Sequence, residues 1–202
     1  LTMAAALDTG TVTPQTTYID TGSINVGGIT IWNWNREPWG QQDMTGCLQH
    51  SLNVCMAWLS TQMGTQTFYG YMERFGLGHQ TGIDLSGEAL GRLKVPGDTD
   101  WYPVDLGTNA FGQGVTVTPM QLLMSASAIA NDGKLLAPHV VRAIVKDGQQ
   151  YDIPPRLVGL PISAQTANLF SEMLARSLEE EASDALVEGY RVAGKTGTAW
   201  KA

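Results

Sequence analysis

The sequence predicts an α+β chain in which helices carry most of the length and short strands the rest. Apolar residues recur at helical spacing between positions 45 and 75, from 118 to 130 and from 163 to 178. Short β-branched stretches at Ile29-Thr30-Ile31 and from His139 to Lys146 supply strands, the second running into the hairpin pair Asp147-Gly148. Composition fits a packed, turn-rich chain: 43% hydrophobic residues, 23 Gly and 9 Pro exclude a disordered one. A length of 202 residues suits one domain of ordinary size or an incomplete larger one. The net charge of -7 argues against a nucleic-acid surface, which needs clustered Lys and Arg. No apolar run approaches the roughly 20 residues that span a bilayer, and Leu1-Thr2-Met3-Ala4 lacks the basic start of a signal peptide.

Leu1 to Leu7 is Ala-rich and reads as a helix without a cap, stopping at Asp8-Thr9-Gly10. From Thr11 to Gly40 the helical period is lost. This stretch reads as a loop-rich excursion with one strand at Ile29–Ile31, long enough to suggest function or partner contact. Trp32, Trp34 and Trp39 within it suit one-sided core packing better than stacking on a glycan or a protein partner. Thr45 is a candidate cap for a short helix through His50. A second helix carries Val54, Ala57, Trp58 and Met63, and a third opens at Thr65 and stops at Gly76 with Phe68, Tyr69, Met72 and Phe75 on one face. Glycine punctuation makes 78–114 loop-like. Thr118-Pro119-Met120-Gln121 is a capping-box helix start, with Leu122, Leu123, Ala126 and Ile129 following and Asn131-Asp132-Gly133 as the stop. Ser163 caps a last helix with Leu169, Phe170, Met173, Leu174 and Leu178 on its buried side. The stretch from Tyr190 to Trp200 reads as a strand.

Cys47 and Cys55 are eight residues apart. On one continuous helix they would stand about 12 Å apart, beyond the roughly 7 Å that a disulfide tolerates. Two buried free thiols are expected, although a turn between them would relax that distance. Cysteine usage leaves the redox compartment open.

Two places can carry chemistry. Lys195-Thr196-Gly197-Thr198 offers an ammonium, two hydroxyls and a residue without a side chain, an anion-receiving edge that a substrate backbone can approach closely. Ser51-Leu52-Asn53 puts a hydroxyl and an amide two residues apart at a helix–helix junction, where both can face one cleft. Each has an ordinary alternative, a strand end for the first and helix caps for the second. His50 is poorly placed as a base for its neighbour Ser51. Cys47-x-x-His50 with Cys55 lacks the ligand pairs of a zinc site, and no metal or cofactor is expected.

These two places stand among further blocks: Leu48-Gln49-His50, Phe75-Gly76-Leu77-Gly78, Thr81-Gly82-Ile83-Asp84-Leu85, Gly87-Glu88 and Phe111-Gly112-Gln113-Gly114. Val117-Thr118-Pro119-Met120-Gln121-Leu122, Ala130-Asn131-Asp132-Gly133, Pro138-His139-Val140-Val141 and Val192-Ala193-Gly194 continue the series. In this order and spacing the chain resembles the transpeptidase domain of class B penicillin-binding proteins over nearly its whole length. The resemblance implies an α+β penicillin-binding/serine β-lactamase-like fold, with residues 1–202 as a single partial domain. It also implies a serine-type D,D-transpeptidase that cross-links peptidoglycan stem peptides ending in D-Ala-D-Ala and is acylated by β-lactams. By the same resemblance, Ser51 would relay a proton to the leaving nitrogen and Asn53 would orient the substrate amide. Lys195, Thr196 and Thr198 would hold the terminal carboxylate, Gly197 would admit the ligand strand, and the Thr198 N–H would face the oxyanion.

The family's nucleophile and base lie in Ser-x-x-Lys, and no serine here is followed by Lys three residues later. The chain alone is therefore expected to be inactive, with the nucleophile helix start and the N- and C-terminal strands missing. Uncovered sheet edges would favour a homodimer or a complementing fragment. A membrane-anchored parent acting outside the cytoplasmic membrane is implied by the resemblance only. A β-lactamase or β-lactam sensor on the same fold, and a non-catalytic binding or assembly fragment, are the other readings.

Overall fold

The computed structural model describes residues 1–181 and 183–197. Helix α1 (Thr2–Asp8) is buried from Thr2 to Leu7, so its small side chains let neighbouring helices approach closely. The Thr11–Gly40 excursion holds more strand than its composition predicts. β1 (Tyr18–Asp20), β2 (Ser23–Val26) and β3 (Ile29–Trp32) are followed by β4 (Gly40–Gln42). β2 and β3 form an antiparallel hairpin, and β1 pairs antiparallel with β4. Strands of three or four residues carry too little alternation to be read without their partners.

Helix α2 (Met44–Gln49) is capped by Asp43, whose carboxylate accepts the Gly46 N–H at 2.7 Å, and not by Thr45. After a break come α3 (Asn53–Met63) and α4 (Thr65–Arg74), with Gly76 at φ 88 where the chain leaves the helix. A short α5 (Asp105–Thr108) precedes α6 (Pro119–Ala130), whose Thr118–Gln121 capping box is present as the sequence predicts. β5 (Leu135–Ala137), β6 (Ala143–Lys146), β7 (Gln149–Asp152) and β8 (Arg156–Gly159) follow. β6 and β7 are joined by Asp147 and Gly148, both at positive φ (52 and 75), the conformation a two-residue hairpin turn requires. Ser163 Oγ accepts the Thr166 N–H at 3.1 Å and opens α7 (Ala164–Glu181). Among the described residues the strands make separate two-stranded antiparallel ribbons on a helical body.

The core gathers Met3, Cys47, Leu52, Leu59, Phe68 and Phe75 with Phe170 and Met173 of α7. Helix α6 turns a different face inward from the one its leucines suggest. Leu122 and Leu123 are exposed, whereas Gln121, Met124, Ser125 and Ala128 are buried. The polar pair belongs inside because it satisfies carbonyls: Gln121 Nε2 donates to His79 O at 2.6 Å and Leu90 O at 2.8 Å, and Ser125 Oγ to Phe75 O at 2.9 Å. Leu169 likewise lies on the exposed side of α7. Asp84 receives the N–H groups of Val140 and Val141 at 2.7 and 2.8 Å, tying the long loop to the segment before β6.

The cysteines correct the sequence reading. Cys47 and Cys55 form a disulfide with Cα atoms 6.1 Å apart. The helix between them is interrupted: α2 ends at Gln49, Ser51 takes φ 53, and α3 begins at Asn53. The chain folds back, and the distance falls within the bonding range. The strand expected from Tyr190 is also absent through Gly197, and Thr198 to Trp200 lie outside the described residues.

Candidate active site

Ser51 and Asn53 sit in the turn between α2 and α3. Ser51 has a left-handed backbone that ends α2, its N–H donating to Leu48 O and that of Leu52 to Cys47 O, each at 3.1 Å, in a position glycine usually takes. Leu52 between them is fully buried, so its side chain points into the core and leaves the two polar residues at the rim. The Ser51 hydroxyl has no protein partner among the described residues. Asn53 Nδ2 donates to Trp32 O at 3.4 Å. This turn is free to meet a ligand with a hydroxyl that both donates and accepts, beside an amide.

Two residues that the sequence reading passed over build the floor. Helix α3 has no side-chain cap of its own. Asn33, distant in sequence, supplies one: its Oδ1 accepts the Val54 N–H at 3.1 Å. Its Nδ2 donates to both carboxylate oxygens of Asp20, at 2.9 and 3.0 Å. Asp20 is buried and also accepts the Gly22 N–H at 2.7 Å, which offsets the cost of taking a carboxylate out of water. Asp20-Thr21-Gly22 is an Asx-turn signature that the sequence offers. Nothing local in the sequence marks Asn33 as a cap.

Trp32 and Trp34 flank this turn and do not fill the core, whereas Trp39 is half-buried and packs against it as expected. Trp32 and Trp34 are 48% and 58% exposed, which corrects the packing role expected of them. Trp34 Nε1 donates to His50 O at 3.4 Å. Trp39 stacks on the His50 ring with centroids 4.2 Å apart. The His50 ring therefore lies on an indole and not against the Ser51 hydroxyl. The sulfur atoms of Cys47 and Cys55, being bonded to each other, are not metal ligands.

Lys195, Thr196 and Gly197 lie in an exposed, irregular segment after α7. The Lys195 ammonium donates to Thr196 O at 2.9 Å and to Thr196 Oγ1 at 3.2 Å. Thr198 lies outside the described residues. Arg191 pairs with Glu172 of α7, holding the carboxyl of Glu172 below its usual range. A Cβ on Gly194 would come within 2.9 Å of Leu178 Cδ1, so the segment runs close along α7. Along the same helix, His50 and Gln49 of the α2 end line a cleft of about 690 Å³ with Arg176 and Glu179. The neighbours of both candidate sets thus meet the same stretch of α7, without a direct hydrogen bond from the Ser51 hydroxyl to the lysine segment among the described residues.

The family model described as the penicillin binding protein transpeptidase domain matches residues 1–202. Stage V sporulation protein D of Bacillus subtilis is 35% identical over 206 residues, covering 100% of this chain and 32% of that protein. The crystal structure of apo penicillin-binding protein 3 of Mycobacterium tuberculosis superposes with a TM-score of 0.88 at 31% identity, covering 99% of this chain and 46% of that one. Its complex with ampicillin gives a TM-score of 0.80 at 29% identity over 95% of this chain and 41% of that one. The chain spans about a third of the length of the curated relatives it matches. With a match across every residue, and a fold shared with solved relatives at recognisable identity, the chain belongs to the penicillin-binding protein transpeptidase domain family.

Proposed function

We propose that this chain forms part of a peptidoglycan D,D-transpeptidase cleft that takes stem peptides ending in D-Ala-D-Ala and is acylated by β-lactams. The observation that carries the reading is the left-handed turn that presents the Ser51 hydroxyl, without a hydrogen-bond partner among the described residues, beside the Asn53 amide, in a chain matched throughout to this family. Ser51 passes a proton to the leaving nitrogen, because a hydroxyl can accept one proton while giving up another. Asn53 orients the scissile amide. Lys195, Thr196 and Thr198 hold the terminal carboxylate, and Gly197 admits the ligand backbone. The acylated serine belongs to a Ser-x-x-Lys motif that these residues do not contain, so the chain by itself forms no acyl-enzyme. The ampicillin complex of the mycobacterial relative supports β-lactams as ligands here.

Action outside the cytoplasm is supported by the family and by the disulfide, since such bonds persist in oxidising compartments. Among the described residues no helix is long and apolar enough to cross a membrane, and membrane attachment of the parent is inferred from the resemblance alone. Ribbons with unpaired edges support a second copy or a complementing segment as a partner, which light scattering tests.

The deciding experiment is labelling with a fluorescent penicillin. The isolated chain should stay unlabelled, and the full-length protein carrying it should label. Ser51→Ala in that protein should lower transpeptidation by about a hundredfold or more, the scale of a lost proton carrier. Unchanged turnover in Ser51→Ala, or labelling of the isolated chain, would refute the assignment.

A further inference from the structure

The Cys47–Cys55 bond is in neither the relay nor the carboxylate-holding set, yet the loop it closes contains both Ser51 and Asn53. We infer that this disulfide is the positioning element of the Ser51–Asn53 turn, fixing the backbone from which the hydroxyl and the amide reach the ligand. The inference rests on the function proposed above and adds to it the pair of residues that sets the relay geometry.

Backbone hydrogen bonds close this turn locally, from the Ser51 N–H to Leu48 O and from the Leu52 N–H to Cys47 O, each at 3.1 Å, but they do not fix α2 against α3. Helix α2 has six residues, with Gly46 among them, and helices so short are marginal in water. Helix α3 lacks its own cap. Ser51 occupies the left-handed position at the end of α2 without being glycine, and among the described residues no hydrogen bond holds its side chain. The sulfur bridge joins the last turn of α2 to the first turn of α3 and so restricts both ends of the segment. Asn33 on the Val54 N–H and the buried Leu52 side chain supply further restraints. A hydroxyl that must meet a reacting nitrogen within hydrogen-bond reach depends on such restraint, because small misplacements cost large factors in rate.

The bond acts by holding and not by switching. Both cysteines are 0% exposed. Reduction would need a thiolate to attack one sulfur in line, pass through a mixed disulfide, and leave two cysteine thiols with the reductant oxidised. A bridge with no solvent-facing surface gives that thiolate no approach while the fold is intact.

The test compares the full-length protein with its Cys47→Ala/Cys55→Ala variant. A fluorescent penicillin should acylate the variant about tenfold or more slowly, with the labelled fraction at completion unchanged. A merely structural loss would lower that fraction instead. Amides of Ser51, Leu52 and Asn53 should exchange with solvent about tenfold faster, while α4 and α6 keep wild-type protection. If the double alanine variant does not fold, Cys47→Ala/Cys55→Val restores part of the lost volume and carries the same expectations. An unchanged acylation rate together with unchanged exchange at positions 51–53 overturns the inference. If the wild-type protein is not acylated at all, the proposed function falls, and exchange at positions 51–53 alone decides the role of the disulfide.

Discussion

The Ser51–Asn53 turn is closed by its own backbone hydrogen bonds and fixed in place by the Cys47–Cys55 bond, by Asn33 on the Val54 N–H, and by Leu52 in the core. The segment from Arg191 to Gly197 lies exposed along α7, held by the Arg191–Glu172 pair and by a lysine turned onto its own neighbour. The two halves of the candidate cleft are therefore secured by different physics. The first draws on covalent closure and buried hydrogen bonds, which water does not weaken. The second draws on an exposed ion pair, which water and salt screen. Proton relay needs a hydroxyl in one place, and a rigid mount serves that need. Holding a carboxylate needs a positive field and donors, which tolerate adjustment as the ligand arrives.

Breaking the rigid half should cost most. Removal of the disulfide in Cys47→Ala/Cys55→Ala should lower unfolding stability by about 2.5 kcal/mol, the chain-entropy value for a loop of this length, read from urea midpoints at unchanged slope. Asn33→Ala comes next. It takes the amide donor from the buried Asp20 carboxylate, which keeps the Gly22 N–H, and leaves the Val54 N–H without its acceptor, and about 2 kcal/mol should be lost.

Asp8 tests what the two halves share. Its carboxylate accepts the Ser163 N–H and the Thr166 hydroxyl, each at 2.8 Å, and the Tyr71 hydroxyl at 2.7 Å, fastening the start of α7 to α1 and α4. Burial alone would raise its pKa, but these bonds together leave it below the ordinary 3.8. A lowered folded pKa means that the charged form is the stabilising one. The contribution is complete above about 4 and fades as pH falls through the lower folded value. Asp8→Asn should therefore be less stable than the wild type at neutral pH, and the gap should close in acid. A gap that widened in acid would reverse the sign. The smallest effect belongs to the exposed half: Glu172→Gln should leave the thermal midpoint unchanged while increasing proteolytic nicking around 186–194, since it removes the tie to α7 without touching the core.

Much of the helical body was legible because its signals are local. The Thr118–Gln121 capping box, Ser163 as the start of α7, the Gly76 stop and the Asp147-Gly148 turn each need only a few neighbouring residues to be recognised. The inward face of α6 was misread for the opposite reason. Gln121 and Ser125 are buried because carbonyls of His79, Leu90 and Phe75 await them, and those partners lie far away in sequence. The candidate site divides in the same way. Ser51, Asn53 and Lys195 were legible as residue types at motif spacing. Asn33 as the remote cap of α3 was not, nor was the pairing of the cysteines, which a continuous helix would have kept apart.

Residue order alone determined the locally signalled helix ends, such as those of α4 and α6, which side chains can donate or accept at the cleft, and the family pattern to which they conform. Tertiary structure decided what faces what. The closure of Cys47 onto Cys55, the Asn33 cap on α3 and the exposure of Trp32 and Trp34 arise from elements that meet only once the chain has packed. Propensity and capping act over a few residues and are written locally, whereas distance, burial and hydrogen-bond partnership across the core exist only in the assembled fold.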